Sequence, residues 1–247
     1  DFAERCAQAL EHYLEQHHAT TAAFIVEPLV QGAAGMAMYA PNYLARAREI
    51  CTRYDVHLIA DEIAVGFGRS GTFFACEQAA IRPDFLCLSK GISGGYLPLS
   101  VVLTSDAVYQ AFYDAKASRG FLHSHSYSGN PLACRAALAT LDIFDSDDVI
   151  HANRAKAEYM RRAIERIAQL PHITHVRQTG MIAALDVADA GADFSTRFAA
   201  AAMQRSVVLR PIGNSVYFMP PYVVSESDID FLVDATIAAL LEVRSAG

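Results

Sequence analysis

Two short apolar runs that each stop on a charge constrain this chain more than any other feature. His57-Leu58-Ile59-Ala60-Asp61-Glu62-Ile63 closes on two carboxylates before Gly66-Phe67-Gly68-Arg69-Ser70-Gly71, and Leu86-Cys87-Leu88-Ser89-Lys90 closes on an amine before Gly91-Ile92-Ser93-Gly94-Gly95. Apolar runs of this length bounded by glycine turns read as buried strands of an α/β sheet. In such sheets ligands lie beyond the carboxyl ends of the strands, so Asp61 and Lys90 are expected to face one crevice. An amine works as a nucleophile near neutral pH only when it is desolvated or held as an imine. A strand terminus against an apolar wall supplies that, which makes Lys90 the candidate nucleophile. Taken singly, Lys90 also fits a strand-end lysine whose head reaches water, and the pair also fits a structural ion pair or two solvated loops.

Composition narrows the partners. A chain of 247 residues accommodates one large domain or two smaller ones, and 53% hydrophobic residues can bury a substantial core. The net charge of −7 gives no support to a nucleic-acid partner, which needs a basic face. No apolar run is long enough to span a bilayer and no signal peptide is evident, so no membrane partner is expected. Cys6, Cys51, Cys76, Cys87 and Cys134 show no paired metal or redox spacing; scattered through apolar runs, they read as reduced, buried thiols of a cytoplasmic protein. No metal is expected either. His123 and His125 alternate, but no cysteine or carboxylate pair lies near them.

Along the chain, Phe2, Cys6, Leu10, Tyr13 and Leu14 predict a helix over 2–16, and 22–26 a buried strand ending at Glu27-Pro28. A loop over 31–36, a helix over 41–54 and the strand carrying Asp61 complete a βαβ unit. A strand over 99–103 leads to a helix with Asp106 as its cap. The hydroxyl-rich stretch 120–130 reads as a loop, and small residues after Pro131 read as a tightly packed helix. Asp145-Ser146-Asp147-Asp148 marks the expected boundary between a first domain over 1–145 and a second over 146–247. In the latter a helix over 149–170, strands over 173–177 and 181–187, a helix over 194–204, strands over 207–209 and 216–219, and a helix begun by Ser225 and Asp228 predict a small α+β unit.

Asp61-Glu62-Ile63-Ala64-Val65-Gly66-Phe67-Gly68-Arg69-Ser70-Gly71, then Leu88-Ser89-Lys90-Gly91, then Ser128-Gly129-Asn130-Pro131-Leu132-Ala133-Cys134 resemble, in order, the motifs of the class III aminotransferases. The resemblance implies a fold type I enzyme that uses pyridoxal 5′-phosphate: a mostly parallel sheet in the large domain followed by a small α+β domain. It implies that Asp61 pairs with the pyridine nitrogen, that Ile63 packs beneath the ring, and that Lys90 binds the cofactor covalently and then moves the substrate proton. Ser126 stands where the family places a threonine that reaches the phosphate of a neighbouring subunit, which implies a homodimer with shared active sites. A glycine and serine cup for the phosphate and a ring-stacking aromatic residue belong upstream of Asp1 in the family. The chain is therefore expected to be part of a longer enzyme.

Within the family, ornithine and 4-aminobutyrate enzymes carry glutamine and glutamate where this chain has Ala64 and Ala33. The stretches Glu27-Pro28-Leu29-Val30-Gln31-Gly32, Phe74-Ala75-Cys76-Glu77-Gln78-Ala79 and Arg210-Pro211-Ile212-Gly213-Asn214-Ser215-Val216-Tyr217-Phe218-Met219-Pro220-Pro221-Tyr222 are similar instead to the branch that serves biotin synthesis. That likeness implies amino transfer from S-adenosylmethionine to 8-amino-7-oxononanoate, with Arg210 on the substrate carboxylate and Tyr217 lining the pocket. A class III enzyme with another donor or acceptor, and a non-catalytic fragment of one, are the alternatives.

Overall fold

The computed structural model describes residues 2–245. In chain order the regular elements are α1 (Phe2–His17), β1 (Ala23–Val26), β2 (Val30–Gln31), β3 (Ala37–Met38), α2 (Pro41–Arg53), β4 (His57–Asp61), β5 (Phe85–Leu88), β6 (Val101–Thr104), α3 (Asp106–Phe112), α4 (Pro131–Ser146), α5 (Val149–Ala168), β7 (Ile173–Thr179), β8 (Ile182–Val187), α6 (Phe194–Met203), β9 (Ser215–Phe218) and α7 (Glu226–Ser245). They form two compact units. One holds the chain up to Leu29, Tyr39–Phe67 and Phe73–Asp148; the other holds Val30–Met38, Gly68–Thr72 and the chain from Val149 onward. No helix among the described residues is long and apolar enough to cross a membrane.

The first unit is α/β. Its sheet runs β1-β4-β5-β6, with β1, β4 and β5 parallel and β6 antiparallel to β5. Alternation along the strands sends Val26, Leu58 and Ala60 to one face, where they bury against Ala7 and Leu14 of α1 and Leu44 and Ile50 of α2. Pro41 sits in the first turn of α2, where its missing N–H costs nothing. Asn130 caps α4 by accepting from the backbone N–H groups of Leu132 and Ala133. The cap of α3 is Ser105, whose hydroxyl accepts from Val108 N–H, and not Asp106, which lies in the first helical turn. One residue earlier is the position whose side chain can fold back onto the open amides.

The second unit sets the antiparallel sheet β7-β8-β9 against α5, α6 and α7, with Met160, Ile164, Ile167, Phe198, Leu185, Phe218, Ile229 and Val233 in one buried cluster. Ser225 and Asp228 begin α7 as a capping box: Asp228 N–H donates to Ser225 Oγ, and Ser225 N–H to Asp228 Oδ2. The strand expected over 207–209 does not form. Val207 N–H donates back to Ala202 O at the end of α6, and Val208 is 78% exposed, so this stretch is irregular and makes no ladder. The two short segments from the first half of the sequence are held by arginines. Arg177 donates to Gly35 O and Met36 O of the β2-β3 hairpin and to Asp186 Oδ1. Arg69 donates to Pro220 O, and its guanidinium lies 4.5 Å over the Tyr222 ring. Gly180 permits the close approach of this second segment, because a Cβ there would lie 2.4 Å from Arg69 O.

Candidate active site

Residues 59–61 of β4 pair in parallel with 85–87 of β5, which sets Asp61 opposite Cys87. Asp61 therefore ends one strand and Lys90 follows the end of its neighbour by two residues, both at the carboxyl edge of the sheet. The two turns are packed on each other. A Cβ at Gly91 would lie 2.9 Å from the Phe67 side chain, so glycine lets the lysine turn rest on the residue that closes the Asp61 loop. Phe67 in turn packs edge-on against Phe73 and Phe74, and with Leu88, Ile92 and Ala137 forms a buried cluster beneath both turns.

Lys90 opens a short 3₁₀ turn and has φ +45°, in the left-handed region that non-glycine residues occupy at a cost of about 1–3 kcal/mol. Strain of this kind persists where the surroundings over-determine it, and it clusters at functional sites. The side chain is exposed, so the described residues do not supply the apolar wall expected at this strand end. The run through β5 is apolar because Leu88 and Ile92 are buried, whereas Lys90 leaves the sheet at its rim. Of the other lysines, Lys116 lies in an exposed loop of the first unit, and Lys156 on α5 donates to Tyr222 O.

Asp61 is half-buried, and its Oδ1 accepts the Ile63 N–H at 3.0 Å. The extended backbone stops at Asp61, and Gly66 N–H closes a turn on Glu62 O. Ile63 thus lies in a turn, and strand alternation does not put it on the face of Asp61. The turn forms because the aspartate side chain bonds the amide two residues on, a local contact that competes with a strand. Ser126 lies in an exposed turn in which Ser128 N–H donates to His125 O. In the second unit Arg210 is exposed on the irregular stretch after α6, and Tyr217 sits half-buried on β9 opposite Ala184. The structure thus brings Asp61 and Lys90 to one sheet edge, and Ser126 makes no side-chain bond to either.

Cys51 and Cys76 are buried and the other three thiols half-buried; all five are free. Burial pushes Cys51 up to about 11, which keeps it protonated. No group of three or more metal-ligating side chains gathers among the described residues. Sequence reasoning passed over Glu62 in the first unit, and Arg69 and Arg177 in the second. Burial lowers the pKa of Arg69, and the neighbouring Tyr222 offsets this only in part. Only for Glu62 did a signal exist, since it is the second of the two carboxylates that close the first apolar run.

A family model described as aminotransferase class III matches residues 1–240. The chain belongs to the class III aminotransferases. It is 41% identical to the adenosylmethionine-8-amino-7-oxononanoate aminotransferase of Helicobacter pylori, over 98% of this chain and 57% of that protein. The enzyme of the same name from Geobacter sulfurreducens is 40% identical over 93% of this chain and 53% of its own length. The chain thus spans about half the length of these curated relatives. The crystal structure of the Methanocaldococcus jannaschii enzyme superposes with TM-score 0.91 at 33% identity, covering 96% of this chain and 57% of that one. An (S)-enantioselective omega-transaminase from Thermomicrobium roseum also gives 0.91, at 32% identity, over 98% of this chain and 56% of its own. The class III aminotransferases depend on pyridoxal 5′-phosphate, and the α/β architecture is that of these transaminases.

Proposed function

We propose that this chain carries the lysine and aspartate of a pyridoxal 5′-phosphate site, and that the whole protein moves an amino group from S-adenosylmethionine to 8-amino-7-oxononanoate, giving 7,8-diaminononanoate for biotin synthesis. The observation that carries the reading is the placement of Asp61 and Lys90 at the ends of neighbouring parallel strands, one acidic and one basic group at one sheet edge, with the turn at Gly91 resting on Phe67. The donor set fits the group: a carboxylate for a ring nitrogen, and an amine free of any ion pair among the described residues for an aldehyde. When bound, the cofactor supplies an electron sink.

In this reading Asp61 turns its carboxylate toward the ring nitrogen, and Ile63 N–H, donating to Oδ1, fixes the rotamer. Lys90 holds the cofactor covalently, and once freed its ε-amine takes the proton from the substrate carbon and returns it one position away. Its left-handed backbone directs the side chain from a turn that Phe67 and Gly91 hold rigid. Ile63 packs beneath the ring. In the second unit Arg210 makes no ion pair among the described residues, and so presents an uncommitted guanidinium for the substrate carboxylate. In this reading Tyr217 lines the substrate pocket.

We further propose a homodimer in which Ser126 donates its hydroxyl to the cofactor phosphate of the partner subunit. Support comes from the first unit's exposed apolar stretch around Ser126, where Tyr113 is 69%, Phe121 72% and Leu122 83% exposed, more than a lone soluble surface presents in one run. Five free thiols support a cytoplasmic location. The omega-transaminase neighbour favours a second reading, a class III enzyme with another amine donor.

The test is amino transfer by the full-length protein with S-adenosylmethionine as donor. Arg210→Ala is expected to raise the KM for the keto acid by about 10- to 100-fold with kcat little changed, the worth of a charged hydrogen-bonded contact. An unchanged KM would turn the assignment toward the second reading.

A further inference from the structure

Glu62 is the most deeply buried carboxylate near the candidate site, at 0% exposure, and the mechanism above gives it no task. It is the first residue after β4, and its side chain reaches the segment over 75–76. Both of its oxygens are used. Oε2 accepts Ala75 N–H at 2.9 Å and Oε1 accepts Cys76 N–H at 2.8 Å, so one carboxylate spans two consecutive amides. Its own N–H donates to Cys87 O at 3.0 Å, and its carbonyl accepts from Gly66 N–H at 2.9 Å. Burial pushes its pKa up while the two amides pull it down.

A buried carboxylate with no cation beside it among the described residues is expensive wherever an apolar side chain would serve. What this one does is anchor the strand end from behind. The residue before it is Asp61, and the residue after it opens the turn that returns Ile63 N–H to Asp61. With its backbone bonded to β5, its carbonyl to the turn and its side chain to the segment over 75–76, Glu62 leaves the Asp61 Cα–Cβ direction no freedom. We propose that Glu62 is a positioning residue that sets the angle at which Asp61 meets the cofactor's ring nitrogen, an inference that rests on the role given to Asp61 above.

The test is a double-mutant cycle in the full-length holoenzyme. Glu62→Gln keeps the shape but sets an NH₂ against one of the two amides. It is expected to lower kcat on the order of ten- to a hundredfold, as loss of an outer-shell partner does, with the KM for the keto acid unmoved. In an Asp61→Asn background the same change should cost nothing further, because its only route to the reaction has been removed. Gly66→Ala provides a second perturbation should the glutamine variant fold poorly: its Cβ would lie 2.9 Å from Glu62 O and 3.4 Å from Oε2, which shifts the clamp and keeps the charge. The same loss of kcat is expected, and it too should vanish in the Asp61→Asn background. Equal losses in both backgrounds, or no loss in either single variant, would overturn the inference and leave the site assignment standing. A normal kcat in Asp61→Asn itself would instead bring down the assignment on which it rests.

Discussion

The central strand of the second unit's sheet is buried on both faces: along β8, Ile182, Ala183, Ala184, Leu185 and Val187 are each at most 1% exposed. The sheet of the first unit is covered on one. Val26, Leu58 and Ala60 are buried under α1 and α2, while on the other face Ile25 is 61% and Val102 59% exposed. By the strand register Asp61 belongs to that open face, in line with Ile59 and opposite Cys87. The difference shows where a fold can keep reactive groups. A strand buried on both sides has room only for packing, whereas among the described residues the face that carries Asp61 is left uncovered at the parallel edge, where ligands of such sheets lie.

The largest effect should fall on the closed unit. Phe198→Ala, at a position with 0% exposure, is expected to destabilise by about 3–5 kcal/mol in denaturant unfolding, the usual cost of emptying an aromatic core site. A loss under about 1 kcal/mol would mean that this core is not closed in solution. Asp61→Asn should act in the opposite way, leaving unfolding nearly unchanged but lowering kcat about a hundred- to a thousandfold, the range for removing one preorganised electrostatic contact. If it altered stability and activity together, the open face would be structural after all.

Arg177→Met probes a polar pin of the closed unit. Burial raises the pKa of Asp186, but the hydrogen bonds from Arg177 and Ser215 outweigh it and hold the carboxyl below its ordinary range. A depressed folded-state pKa means that this stability is fully present above the unfolded value, near pH ~4, and is lost as pH falls through the folded one. The variant should lose about 1.5–3 kcal/mol at neutral pH and show a flatter decline below pH ~4. A parallel decline in the two proteins would remove Asp186 from the account. The smallest effect belongs to Ile25→Thr on the open face, expected within about 0.5 kcal/mol of the parent by thermal unfolding. A core-sized penalty there would show that the face is covered in solution, and would erase the contrast.

The features that could be read from sequence were those written locally. The two apolar runs, their charged ends and the glycine turns after them predicted β4, β5 and the sheet edge they share, and Ser225 with Asp228 marked the start of α7. The features that could not be read depend on distant partners. Arg69 and Pro220 are 151 residues apart, and Arg177 and Gly35 are 142 apart, so no window of sequence hints that these contacts join two short segments to the second unit. Residues 207–209 have the β-branched composition of a strand, yet Val207 N–H bonds helix α6 and no neighbour among the described residues offers a ladder. At Ile63 the aspartate two residues earlier ends the strand before alternation can apply. The exposure of Lys90 was one of two readings the sequence left open, because an apolar run shows where a strand lies but not where its last residue emerges.

The central claim is that Lys90 and Asp61 hold one cofactor between them. Reducing the full-length protein with borohydride in the presence of pyridoxal 5′-phosphate, and mapping the added mass by peptide mass spectrometry, tests it most directly. The account predicts that the label sits on Lys90, leaves Lys116 and Lys156 unmodified, and weakens in Asp61→Asn. A label on either of the other lysines, or no label while the protein remains folded, would contradict it.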